Sequence, residues 1–259
     1  MSPPLLYFEV DPPSEPAGVV LAYWGFEVRA GAPATHTLWP DAGMSVVWGM
    51  HEGNTVVLTV MGARTEPVAV PVQPGLAFRG IRFWADAARA ICEIDPRRAR
   101  NERLQIQMLG GLGERLLAAT RDAATLSDAV GIFGTAIGAS PTTGAIDLLV
   151  RQALVMIDAH LDRAIGAVAR GLGMSDRQLR RRFGDTTGLS PKEYARIRRL
   201  RQTLGRVIGG GNSPWSTIAA RSGFADQPHL VNEIVRMTAY TPKLLEQRLR
   251  LIEHVDVKP

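Results

Sequence analysis

Hydrophobic residues over positions 1–95 fall in short runs. LAYWGFEV, MSVVWGM, TVVLTVMGA, PVAVPV and FRGIRFW recur at intervals of about ten to fifteen residues. Turn-formers separate them: PDAG at 40–43, HEGN at 51–54 and QPG at 73–75. Such spacing predicts an antiparallel β sandwich or barrel, cupin-like in outline. At Asp95-Pro96 the pattern changes. ERLQIQML has strand character still, but LGERLLAATRDAA and LSDAVGIFGTAIGA carry apolar residues at helical spacing. Ser140-Pro141 is a second break. Beyond it Ile146, Leu149, Ala153, Ile157 and Leu161 form one helical stripe, and GGGNSPW at 209–215 reads as a loop. The expectation is an α+β chain: a β-rich domain over 1–95, a helical linker region over 96–140, and an all-α domain over 141–259.

The helical part repeats itself. Ser175, Leu179, Phe183, Gly188 and Ser190-Pro191 are matched 51 residues later by Asp226, Leu230, Ile234, Ala239 and Thr241-Pro242. A short helix precedes each copy (AIGAVARGLG, STIAARSGF), followed by a turn at Gly173 or Gly223. Ser175 and Asp226 suit helix N-caps, because their side-chain oxygens accept otherwise unpaired N–H groups of the first turn. Leu179/Phe183 and Leu230/Ile234 lie four apart, on one inward face. Each copy therefore reads as a helix-turn-helix motif. Between them Pro191 starts a helix with Ile197, Leu200, Leu204 and Ile208 on one stripe, suited to hold the two motifs at fixed separation.

Charge sharpens this picture. The chain has 259 residues and a formal net charge of +5, but residues 1–150 sum to −4 and residues 151–259 to +9. A basic half beside an acidic one suggests a polyanion-binding module next to something else. With Leu179 and Phe183 inward, Arg177, Arg180 and Arg181 share the outward face of the second helix. Arginine there can donate bidentately to guanine in a major groove or neutralise phosphates. Arg182 lies round the helix, as a phosphate contact or a solvated residue.

Residues 168–203 (VARGLGMSDRQLRRRFGDTTGLSPKEYARIRRLRQT) and 216–245 (STIAARSGFADQPHLVNEIVRMTAYTPKLL) resemble the DNA-binding domain of the AraC/XylS family of transcription regulators. The resemblance implies base reading at Arg177, Arg180 and Arg181. In the second motif it implies Pro228, Val231 and Asn232, with Gln227 and His229 beside them. Ser175, Gln178 and Arg236 complete the expected DNA-contacting set. Ile234 stands where the family usually has an aromatic, a basic residue near Asn232 is missing, and Ala239 replaces a glycine. These departures predict a smaller share of base reading for the second motif. LWPDAG (38–43) and GIRFWADAARAIC (80–92) are similar to the β-rich N-terminal domain of one subgroup, which implies ligand sensing or dimerisation. The implied partners are a double-stranded promoter site, a small-molecule effector, a second copy, and RNA polymerase for an activator. The implied setting is bacterial cytoplasm, associated with the nucleoid.

Other chemistry is sparse. No apolar run reaches the ~18 residues of a membrane span. The start MSPPLLYFEVDPP lacks the pattern of a signal peptide, and one cysteine, Cys92, allows no intrachain disulfide. His36, His51 and Glu52 resemble a two-His-one-carboxylate metal set, the basis of an alternative reading in which the β domain is a metal-dependent enzyme. Their spacing matches no known motif, so a structural role is expected, with no metal, cofactor or catalytic residue. Cys92 is expected as a buried thiol, and Trp24, Trp39, Trp48, Phe78 and Trp84 as core rather than ligand pocket. The basic residues of 196–206 are expected to form a solvated face.

Overall fold

A computed structural model of the chain describes residues 2–12, 18–91, 95–121, 129–139, 146–209 and 213–255. Cys92 and the Ser140-Pro141 break lie outside the described residues. Among these are strands β1 (Leu5–Val10), β2 (Val20–Val28), β3 (Thr35–Leu38), β4 (Ser45–His51), β5 (Asn54–Met61), β6 (Val68–Pro71), β7 (Leu76–Phe83), β8 (Arg103–Gln105) and β9 (Ile252–Val255). Seven form one sheet in the order β8-β5-β4-β7-β2-β1-β9, and β3 pairs with β6 separately. Neighbours are antiparallel except β1 and β9, which run parallel. The HEGN turn closes the β4–β5 hairpin with Glu52 and Gly53 both at positive φ, the backbone twist a two-residue hairpin loop requires.

The helices are α1 (Ala88–Ile91), α2 (Pro96–Ala99), α3 (Gly111–Arg121), α4 (Ala129–Gly138), α5 (Leu148–Ala159), α6 (Ile165–Gly171), α7 (Asp176–Thr187), α8 (Pro191–Gly209), α9 (Trp215–Arg221), α10 (Gln227–Thr238) and α11 (Pro242–Arg250). The segment expected as a linker is docked instead. Leu112 and Leu116 of α3 and Phe133 and Ile137 of α4 join Val46, Trp48, Val60 and Ile81 in one core. Apolar stripes on these two helices cover one sheet face, so they complete the β unit rather than tether it. The opposite face carries Leu5, Phe26, Val28 and Ile252 under Val70 of the small sheet and Val72 just beyond it. The β unit is thus two sheets of unequal size. It also takes strands from beyond residue 95, namely β8 and, at the far end of the chain, β9.

The helical half packs around Val150, Leu154, Ile157, Leu179, Phe183, Ile197, Leu200, Leu204, Leu230, Ile234 and Leu245. The α5 stripe is rotated from the expected one. Ala153 and Ile157 are buried, but Val150 and Leu154 take the place of Leu149 and Leu161.

Buried charge joins the two halves. Arg82 donates to Glu9 Oε1 at 2.5 Å and to the Tyr7 hydroxyl at 3.0 Å, and its Nε lies 2.9 Å from Asp41 Oδ2 as an ion pair without hydrogen-bond alignment. Arg201 of α8 reaches the same carboxylates, 3.8 Å from Glu9 and 3.9 Å from Asp41. Burial alone would raise the Asp41 carboxyl, but Arg82, Arg201 and the Gly43 N–H hold it down at about 2. Arg100 bonds Glu193 at 2.5 Å, Arg151 grips the fully buried Asp86, and Tyr240 shares a 2.5 Å hydrogen bond with Thr37. Both helix-turn-helix motifs are therefore braced by the β unit.

Candidate nucleic-acid interface

In the first motif α6 and α7 meet at a turn where Gly173 has φ +65. Ser175 Oγ accepts the Gln178 N–H at 3.3 Å, and Gln178 Oε1 accepts the Ser175 N–H at 2.9 Å. This is a capping box that satisfies donors at the helix start. Leu179 and Phe183 are fully buried, the Phe183 ring edge-on to Tyr194 at 5.7 Å. Their burial turns Arg177, Arg180 and Arg181 outward, and all three are exposed. Ser175 and Gln178, expected as DNA contacts, are engaged with each other in shaping the helix end. Arg182 stays exposed but has a partner in the fold. Its guanidinium pairs with Asp147, the N-cap of α5, and raises its own pKa through that hydrogen bond.

The second motif repeats the architecture with different chemistry. Gly223 has φ +69, and Asp226 Oδ1 accepts the His229 N–H at 2.7 Å. Leu230 and Ile234 are fully buried. Gln227, Pro228, His229, Asn232 and Arg236 are exposed and Val231 is half-buried. The His229 ring meets Phe224 edge-on at 5.3 Å, which ties the imidazole to its own turn. Val235 was not anticipated from the sequence. It is 42% exposed and continues the line Pro228–Val231–Asn232, three residues beyond Asn232; that periodicity was the available signal.

One device ends both recognition helices. Thr187 Oγ1 donates to Phe183 O at 2.8 Å and accepts from Leu189 N at 3.1 Å; Thr238 Oγ1 donates to Ile234 O at 2.7 Å and accepts from Tyr240 N at 3.2 Å. The arginines of α8, expected as a solvated face, are internal ties. Arg196 bonds Glu233 of α10 at 2.5 and 2.8 Å, Arg198 bonds Asp158 of α5 at 2.9 Å, and Arg199 donates to Leu161 O at 2.5 Å. Their long stems reach neighbouring elements and leave few α8 cations to face a ligand.

The metal reading gains no geometry. No group of three His, Cys, Asp or Glu that could hold an ion occurs among the described residues. His36 lies half-buried against Phe26 at 4.6 Å, and desolvation, with Arg248 nearby, lowers its pKa to about 4. His51 Nε2 lies 3.3 Å from Pro74 O at the end of β4, and Glu52 occupies the hairpin turn. Trp48 is core, whereas Trp84 lies under the Arg151 guanidinium at 5.6 Å. Phe8, Val10, Tyr23, Trp24, Arg79 and Phe133 line a shallow, mostly apolar depression beside α4, and the Trp24 Nε1 is buried without a partner among the described residues.

Two capped recognition helices with bare outward faces define a double helix-turn-helix DNA-binding protein. Residues 168–248 match the family described as "Helix-turn-helix domain". This match places a helix-turn-helix domain in the C-terminal part of the chain and supports its resemblance to AraC-type regulators. Residues 8–105 match a "Domain of unknown function (DUF6597)". No curated protein matches the chain. Among solved structures, a probable AraC family transcriptional regulator from Rhodopseudomonas palustris is 25% identical over 40% of this chain and 99% of its own, with a TM-score of 0.36. ToxT from Vibrio cholerae is 10% identical over 83% of this chain and 99% of its own, with a TM-score of 0.46. An unsaturated fatty acid-bound ToxT is 11% identical over 82% of this chain and 93% of its own, at 0.43.

Proposed function

We propose that the chain reads a double-stranded promoter site chiefly through α7, and that its β unit senses a small-molecule effector. The observation that carries the first part is the exposed Arg177, Arg180 and Arg181 on a buried-faced, capped helix, against a neutral line in α10. Arginine forks match guanine O6 and N7 in the major groove, and Asn232 suits adenine. Gln227, His229 and Arg236 flank the second helix at phosphate-reaching positions. The second part is supported by the apolar depression beside α4 and by the buried Arg82–Arg201 cluster, which joins the sheet directly to α8. The same reading places the protein in the cytoplasm at the nucleoid, as a homodimer that contacts RNA polymerase where it activates, and assigns it no catalytic role. Among the described residues no helix is long and apolar enough to cross a membrane.

The test is selection of a binding site from random duplexes, then affinity measured against salt. A log–log slope of roughly −4 to −8 is expected from released counterions. A flat dependence would remove the DNA reading.

A further inference from the structure

The readout line of α7 does not end at Arg181. Steps of four, three and four residues carry it from Arg177 through Arg181 to Gly184 and Gly188, all on one side of the helix. Both glycines are buried, and what buries them is α2, from the first half of the chain. A Cβ at Gly188 would lie 2.3 Å from Pro96 O, and one at Gly184 would lie 3.0 Å from Arg97 Nη2. The docking therefore depends on the absence of a side chain at Gly188, where the neighbour is backbone, whereas at Gly184 only the tip of a flexible side chain would have to give. Arg97 reaches along the helix, 3.1 Å from Asp185 Oδ1 and 3.5 Å from Arg181 O, while its side chain stays 51% exposed. Arg98 beside it is exposed and has no charged partner among the described residues.

We propose that Arg97 and Arg98 extend the DNA interface of the first motif as phosphate-contacting residues supplied by the β unit. The inference rests on the reading that α7 enters the major groove. A helix whose first two turns lie in a groove brings its later turns toward the sugar-phosphate wall. There α7 itself offers Gly184 and the carboxylate of Asp185, which a phosphate would repel. Arg97 neutralises that carboxylate, and Arg98, the next residue of α2 and exposed, adds a further positive charge beside it in the chain. The first half then influences DNA binding by contact as well as by bracing.

Binding of the full chain to its selected duplex and to an unrelated duplex, each at several salt concentrations, tests this. Arg98→Ala should weaken both complexes to a similar extent, roughly three- to tenfold, and reduce the log–log salt slope by about one. Arg98→Glu should weaken both further, with thermal unfolding unchanged in either variant. Arg181→Ala, measured alongside, should weaken the selected duplex preferentially. If Arg98→Ala leaves affinity and slope at parental values while Arg181→Ala weakens binding, the proposal falls and the α7 reading stands. If both are silent, both fall. Tighter binding by Arg98→Ala would also overturn it, because α2 would then be a cover over the recognition helix.

Discussion

The two helix-turn-helix motifs share a backbone design and differ in what they present. Each has a capped second helix, an apolar pair four residues apart, and a threonine closing the helix end. On the outward line the first offers Arg177, Arg180 and Arg181, and the second Pro228, Val231, Asn232 and Val235. The lines also end differently. Gly184 and Gly188 receive α2, whereas Val235 stays exposed and Ala239 adopts φ +62 with a side chain in place. A duplicated scaffold thus conserves the buried and capping positions while its exposed positions diverge, because packing constrains only the former.

The largest effects should come where the motifs are alike. Leu179→Ala and Leu230→Ala each empty a fully buried site, and each should cost about 2–5 kcal/mol in urea unfolding of the full chain. An unchanged midpoint in either would mean its helix faces are misassigned. Next comes Gly188→Ala, where strain at φ +75 adds to the clash with Pro96 O. A loss of about 2–4 kcal/mol is expected. The matching Ala239→Gly should have the opposite sign.

His36, in a small cleft lined also by Tyr240 and Arg248 at the end of the second motif, predicts a pH effect. Its folded pKa lies at about 4 against an ordinary 6.5, so the unfolded chain binds the extra proton between those values. Stability should be full above pH 6.5 and fall by up to about 3 kcal/mol as pH drops to 4. Urea midpoints across that range should flatten in His36→Gln.

Arg181→Ala should cost about 1–3 kcal/mol of binding and relax the preference for one G·C pair, measured against single-base variants of the selected site at fixed salt. Asn232→Ala should cost less, and Val231→Ala under about 1 kcal/mol, the scale of one methyl contact. A larger loss for Val231 or Asn232 than for Arg181 would reverse the ranking of the motifs. The smallest change is the gain from Ala239→Gly, about 0.5–1 kcal/mol, from relieving a left-handed residue that carries a Cβ.

Local patterns made the helical half legible. Cap residues, apolar pairs and turn glycines act within one or two helical turns, so the repeat at 51-residue spacing could be read directly, as could the outward arginines. The runs and turns of the first half likewise indicated strands β2, β4, β5, β6 and β7. The strands not anticipated were β1, β3 and β9. LLYFEV and IEHV have little alternation of their own, and β9 exists because β1 offers it an edge almost 250 residues away.

Side-chain partnership was least legible. Arg182, Arg196, Arg198 and Arg201 look in the sequence like Arg177, Arg180 and Arg181, yet each ends on a carboxylate of another element. Arg97 lies far from the repeat in the chain and reaches α7 only through the docking of α2. The amino-acid order alone determined two capped recognition helices and which of their faces are exposed, because those depend on interactions across a few residues. Tertiary structure alone decided which cations remain free for a polyanion, because a long guanidinium side chain takes whichever carboxylate or carbonyl the fold brings within reach.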